Sequence, residues 1–185
     1  MRGWGGGGCM GRGRSKSTND TCTCGGGRRR IPNACGDRAG FGAIVMNWKG
    51  EPLHAVAVQE QDLGSINVIK FKAMLAGLRM CFWMGLIHIH LESDSTTAIT
   101  WLKGKGCLPW QLIRERNEMD VLLASHTACQ VSHTFREGNQ PTNLLASWQN
   151  TPGLTLMRPD QFDEALQLIL DKDAAGAIST ISISK

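Results

Sequence analysis

The order of apolar runs in this 185-residue chain predicts an α/β fold, a mixed sheet with helices packed on it. Three observations carry the prediction. Two extended runs flank a glycine turn, which reads as an antiparallel hairpin. A long helical pattern then leads into a strand with strict alternation. Further helical patterns enclose another strand, so β-α-β connections follow the hairpin. The bulk composition agrees, with 42% hydrophobic and 19% charged residues, ordinary values for a globular protein.

The elements follow in order. Phe41 to Met46 is apolar, "NWKGE" supplies the turn, and Pro52 to Val58 returns. "SINVIKFKAMLAGLRMCFWMG" is predicted as a helix capped by Ser65 and stopped at Gly85, with Phe71, Met74, Leu75, Leu78 and Phe82 at three- and four-residue steps. In "LIHIHLES", Ile87, Ile89 and Leu91 share one face and His88 and His90 the other, a strand pattern. Asp94 is expected to start a short helix through Leu102. "PWQLIRERNEMDVLLASH" is a helix with Pro109 near its first turn. "ACQVSHTF" is a strand, "NQPTNLLASWQN" a short helix and "DQFDEALQLILDKD" an amphipathic helix.

Charge is uneven. Residues 1–38 carry eight Lys or Arg against Asp20 and Asp37, a net +6 that leaves −2 for the rest of a chain of net +4. With "RGWGGGGCMGRGR" and "CGGGRRR", this segment is expected to be a flexible basic arm, since it has little apolar area to offset its ordering entropy. Arg28, Arg29 and Arg30 are its candidate nucleic-acid contacts, because guanidinium groups pair with phosphates and stack on bases. Lys103 and Lys105 in "WLKGKG" are further phosphate candidates, or else a solvated loop. The seven cysteines form no C-x2-C pair pattern, and Cys22, Cys24 and Cys35 have no nearby His. An odd cysteine count without a secretory signal predicts free thiols in a reducing compartment, the nucleus or cytoplasm. No run of ~18 apolar residues is present to span a membrane. His88 and His90 share a metal-like spacing that most often marks a half-exposed strand, and Trp83, Trp101 and Trp148 read as core residues.

The motifs "AGFGAIVMNWKGE", "HLESDSTTAI", "VSHTFREGNQPTNLLA" and "TPGLTLM" together resemble the ribonuclease H-like domain of plant retroelement reverse transcriptases and their host-encoded relatives. The resemblance spans about Gly40 to Gly176. It implies a five-stranded mixed sheet flanked by helices, in a domain at 39–176 between the arm and a tail at 177–185. It also implies a monomer and a nucleic-acid partner, either an RNA–DNA hybrid or a single strand. The reaction implied is hydrolysis of the RNA strand of a hybrid by two Mg²⁺ ions held by four carboxylates, a hard-ligand set suited to that ion. Carried over, Asp94 in "ESDS" takes the role at the end of the fourth strand. "INVIKFKAM" puts Lys70 at the acid position of the first helix, and "TNLLA" puts Asn143 at that of the last. Asp20 in "TNDTCT" is the candidate first acid, hence the second catalytic and metal residue beside Asp94. Helix capping remains the plain alternative for Asp94. A site of about −4 becomes about −1, so a nucleic-acid-binding domain with an impaired active site is expected. The alternatives are an active hybrid endoribonuclease and a remnant that binds nothing.

Overall fold

The computed structural model describes residues 20–28, 38–61, 64–148 and 153–174. β1 (Asp20–Arg28), β2 (Arg38–Met46) and β3 (Pro52–Gln61) are followed by α1 (Ile66–Trp83), β4 (His88–Ser93), α2 (Thr96–Leu102) and α3 (Ile113–Ser125). β5 (Ala128–His133), α4 (Gln140–Ser147), β6 (Gly153–Met157) and α5 (Glu164–Ala174) complete the described chain. The sheet order is β5-β4-β1-β2-β3-β6. β1, β2, β3 and β6 are antiparallel to their neighbours in turn, while β4 runs parallel to both β1 and β5.

α1 lies on one face of the sheet. Ser65 caps it, accepting from the Val68 amide at 3.5 Å, and Gly85 ends it at φ +69°. Twelve of its residues are buried, because the sheet lies beneath it and α2 and α3 flank it. α4 and α5 cover the opposite face, where Ile44, Ala55, Ala57, Leu145, Met157, Phe162, Leu166 and Leu170 form a second core.

The glycine pattern positions α4. Along β2, Phe41 faces the α1 core while Gly40 and Gly42 face α4, as the two-residue period of a strand requires. Gly25 on β1 is paired with Gly42 and also faces α4. A Cβ on Gly25 would stand 2.1 Å from Thr142 Oγ1, and one on Gly42 would stand 2.4 Å from Leu145 Cβ. The helix therefore rests almost on the backbone of the sheet.

Four expectations are corrected. The arm does not extend to residue 38, since Asp20–Arg28 is a central strand hydrogen-bonded on both sides. "TCTC" alternates over only four residues before glycines, so its strand is imposed by its neighbours more than by its own propensity. The sheet has six strands and not five, because "GLTLM" pairs with β3. That edge strand buries only Met157 and is apolar on both faces, so it lacks the alternation that marks a strand. The cap of α2 is Ser95, whose hydroxyl accepts from the Ala98 amide at 3.1 Å, which frees Asp94 from that role. Trp83 is 70% exposed, edge-on to His54, and not in the core. Trp101 and Trp148 are half-buried against the two cores.

Gly42→Ala is expected to destabilise the fold by about 1–3 kcal/mol, the usual cost of overpacking. Urea unfolding measures it; an unchanged midpoint would show that α4 can lift off the sheet freely.

Candidate functional site

The carboxyl end of β4 lies beside Cys24 in the middle of β1, and strand carboxyl ends are a common place for sites in open sheets. β4 ends at Ser93, which is paired with Cys24 of β1. Asp94 follows at the strand tip. α1 begins above the same tip and offers Lys70 from its second turn. Lys70 Nζ donates to Asp94 Oδ2 at 2.7 Å, and both side chains are buried, 10% and 8% exposed. Asp94 Oδ1 is buried with no hydrogen-bond partner.

α4 reaches the tip from the other face. Asn139, fully buried, donates through Nδ2 to the carbonyl of Cys24 at 3.0 Å. Thr142 Oγ1 donates to the Asn139 carbonyl at 3.1 Å and packs over Gly25. Asn143 is the next residue and is half-buried. Asn139 therefore ties the start of α4 to β1, a role that its place in "REGN" did not disclose.

The other sequence candidates do not converge here. Asp20 opens β1 and is paired with Ile89, five residues before Asp94. At about 3.3 Å per residue its backbone lies about 13 Å from Cys24 along the strand. The strand positions that adjoin Asp94 are Cys24 and Gly25, neither a carboxylate. Lys103 donates to the Val131 carbonyl at 3.1 Å, and Lys105 is exposed in the turn beyond it. Both sit past the far end of α2, which runs away from Asp94. Arg28 ends β1, while Arg29 and Arg30 lie outside the described residues.

The remaining polar clusters are structural in character. His90 Nε2 is 2.7 Å from Ser132 Oγ, and its Nδ1 is 3.7 Å from Glu92 Oε1, a relay across the open face of β4 and β5. Cys22 and Cys24 place their sulfurs 3.7 Å apart against Gly77. The hydrogen bond with Cys24, together with burial, pushes the Cys22 thiol well above its usual value, and burial raises Cys129 to about 11. Neutral thiols are poor metal ligands. Among the described residues no group of three or more His, Cys, Asp or Glu is arranged to hold a metal. No described helix is long and apolar enough to cross a membrane.

The donor set does not fit two magnesium ions. Where the resemblance implies acids, position 70 carries an ammonium and position 143 an amide, and Lys70 with Asp94 sums to zero charge. At ~4 Å and an effective dielectric of ~20, each unit-charge repulsion is on the order of 4 kcal/mol, and a dication meets twice that beside Lys70.

The six-stranded mixed sheet, with its tip facing the starts of α1 and α4, defines a ribonuclease H-like domain. A sequence model described as reverse transcriptase-like matches residues 33–149, and the chain belongs to that family. Among solved structures it is similar to ribonuclease H1 of Halobacterium salinarum, at 21% identity and a TM-score of 0.61, over 70% of this chain and 95% of that one. The N-terminal ribonuclease H domain of Rv2228c from Mycobacterium tuberculosis, solved as a maltose-binding-protein fusion, matches at 19% identity and 0.62, over 71% and 92%. LC11-RNase H1 in complex with an RNA/DNA hybrid matches at 18% and 0.59, over 70% and 94%. Among curated proteins, none matches the sequence.

Lys70→Met leaves Asp94 buried and unpaired, and is expected to cost about 3–5 kcal/mol in urea unfolding. Lys70→Met with Asp94→Leu is expected to recover most of that loss, since an apolar pair of similar volume replaces a buried ion pair at little cost. If the single variant is as stable as the parent, the two groups do not depend on each other.

Proposed function

We propose that this domain binds nucleic acid, the RNA–DNA hybrid first among its forms, without metal-assisted cleavage of the RNA strand. The observation that carries the reading is the 2.7 Å contact of Lys70 with Asp94, an ammonium where the family resemblance implies a metal-holding acid. Asn143, and Cys24 and Gly25 at the positions of β1 beside the end of β4, remove two more of the four carboxylates. Support for the partner comes from the fold, which a ribonuclease H1 relative uses in complex with an RNA/DNA hybrid. It also comes from the charge, +6 over residues 1–38. Phosphate contacts supply most non-specific affinity, so the segment before β1, with Arg2, Arg12, Arg14 and Lys16, is assigned much of the binding. Arg28, Arg29, Arg30, Lys103 and Lys105 add to it in the same way.

Two measurements test this. Incubation of a hybrid with the protein in Mg²⁺ or Mn²⁺ is expected to give no cleavage above a control without protein. Metal-dependent turnover that disappears in Asp94→Ala would show a working enzyme instead. Binding of the same hybrid is expected to be equal in Mg²⁺ and in a chelator at matched ionic strength. Changing Arg2, Arg12, Arg14 and Lys16 together to Gln should weaken it and flatten log K against log salt by up to roughly 3.6, from ~0.9 per lost phosphate contact. An unchanged slope would place the affinity in the folded domain alone.

A further inference from the structure

The geometry points to a stacking platform for an unpaired nucleobase on Phe135, at the rim of the Lys70–Asp94 site. The assignment rests on the nucleic-acid binding proposed above. Phe135 lies two residues past β5 and is 76% exposed. On the connection from β5 to α4 it is the one exposed large apolar side chain among the described residues. The fold gains almost nothing from a ring in that position, since so little of it leaves water.

The backbone beneath the ring is fixed. His133 is paired with Ser93 at the tip of β4, and the Thr134 amide donates to the Ser93 carbonyl at 3.0 Å. The Gly138 amide donates to the Phe135 carbonyl at 3.0 Å, which closes the turn before α4. The ring is braced as well, because His133 stands edge-on to it with centroids 5.6 Å apart and planes at 85°. An aromatic ring set in this way loses little freedom on binding, which favours its use as a platform. Ser93 precedes Asp94 directly, so the backbone that carries the ring is hydrogen-bonded to the residue next to Asp94.

The chemistry of the surroundings selects the ligand. Arg136 and Glu137 beside the ring are both exposed and sum to zero charge, so the ring is the apolar surface offered there. Aromatic side chains stack on nucleobases without regard to sequence, because every base has a π-face. Inside a duplex both faces of a base are already covered by its neighbours, whereas an unpaired base has a face to offer. The ligand is therefore a single-stranded nucleotide that adjoins the bound duplex.

The test uses the full chain and fluorescence anisotropy with two probes, a blunt RNA–DNA hybrid and the same hybrid with a short unpaired extension. The extended hybrid is expected to bind more tightly. Phe135→Ala should weaken the extended probe about tenfold, the scale of one base–aromatic stack, and leave the blunt probe unchanged. The salt slope should not move, since no charge is lost, and Phe135→Trp should restore the preference. The exposed position keeps Phe135→Ala folded, and a thermal melt confirms it. If the parent binds both probes and Phe135→Ala changes neither, or weakens both equally, the platform is wrong while nucleic-acid binding stands. If the parent binds neither probe in any buffer, the nucleic-acid reading itself fails and the platform with it.

Discussion

One buried ion pair sets the character of this domain. Lys70 and Asp94 meet at 2.7 Å where the first helix crosses the end of the fourth strand. Each charge alone would be costly in that place, so each depends on the other. The pair is weak as a source of net stability but strong as a constraint, because removal of one partner strands the other. It ties α1 to the end of β4, the position to which the family resemblance assigns a metal-holding acid. The loss of metal chemistry proposed for this domain rests on that ammonium.

A second constraint acts from the opposite face. Gly25, Gly40 and Gly42 let α4 rest on the sheet, and Asn139 fastens its first turn to the Cys24 carbonyl. These contacts hold Asn139 and Thr142 against Cys24 and Gly25 of β1. The scaffold around Asp94 is therefore held from both faces of the sheet, by Lys70 on α1 and by Asn139 before α4. Close packing and backbone hydrogen bonds specify such a scaffold, whereas a few side-chain charges specify the chemistry it supports.

Much of this could be read from the chain before the fold was in view. α1 was legible because its cap, its apolar spacing and its terminal glycine agree, and agreement across levels makes a local reading firm. β4 was legible by alternation, and the tip position of Asp94 followed. The nearness of Lys70 to Asp94 came from the family resemblance, since no local signal links residues 24 apart. β1 was hidden because a glycine- and arginine-rich segment has almost no strand propensity of its own and is held by pairing with β2 and β4. That error moved the first acid to Asp20, at the wrong end of the strand. Asp94 and Ser95 are both good caps, and the sequence offers no means to choose between adjacent candidates. The exposure of Trp83 and Phe135 depends on what fails to cover them, which no local pattern encodes.

The central proposal is that an ammonium takes the place of metal where the end of β4 meets Cys24 of β1. Calorimetric titration of the full chain with Mg²⁺, and then with Mn²⁺, tests it most directly. No saturable heat above the buffer blank is expected from either ion. A two-site isotherm that is lost in Asp94→Ala would contradict the claim and return the domain to the two-metal hydrolases.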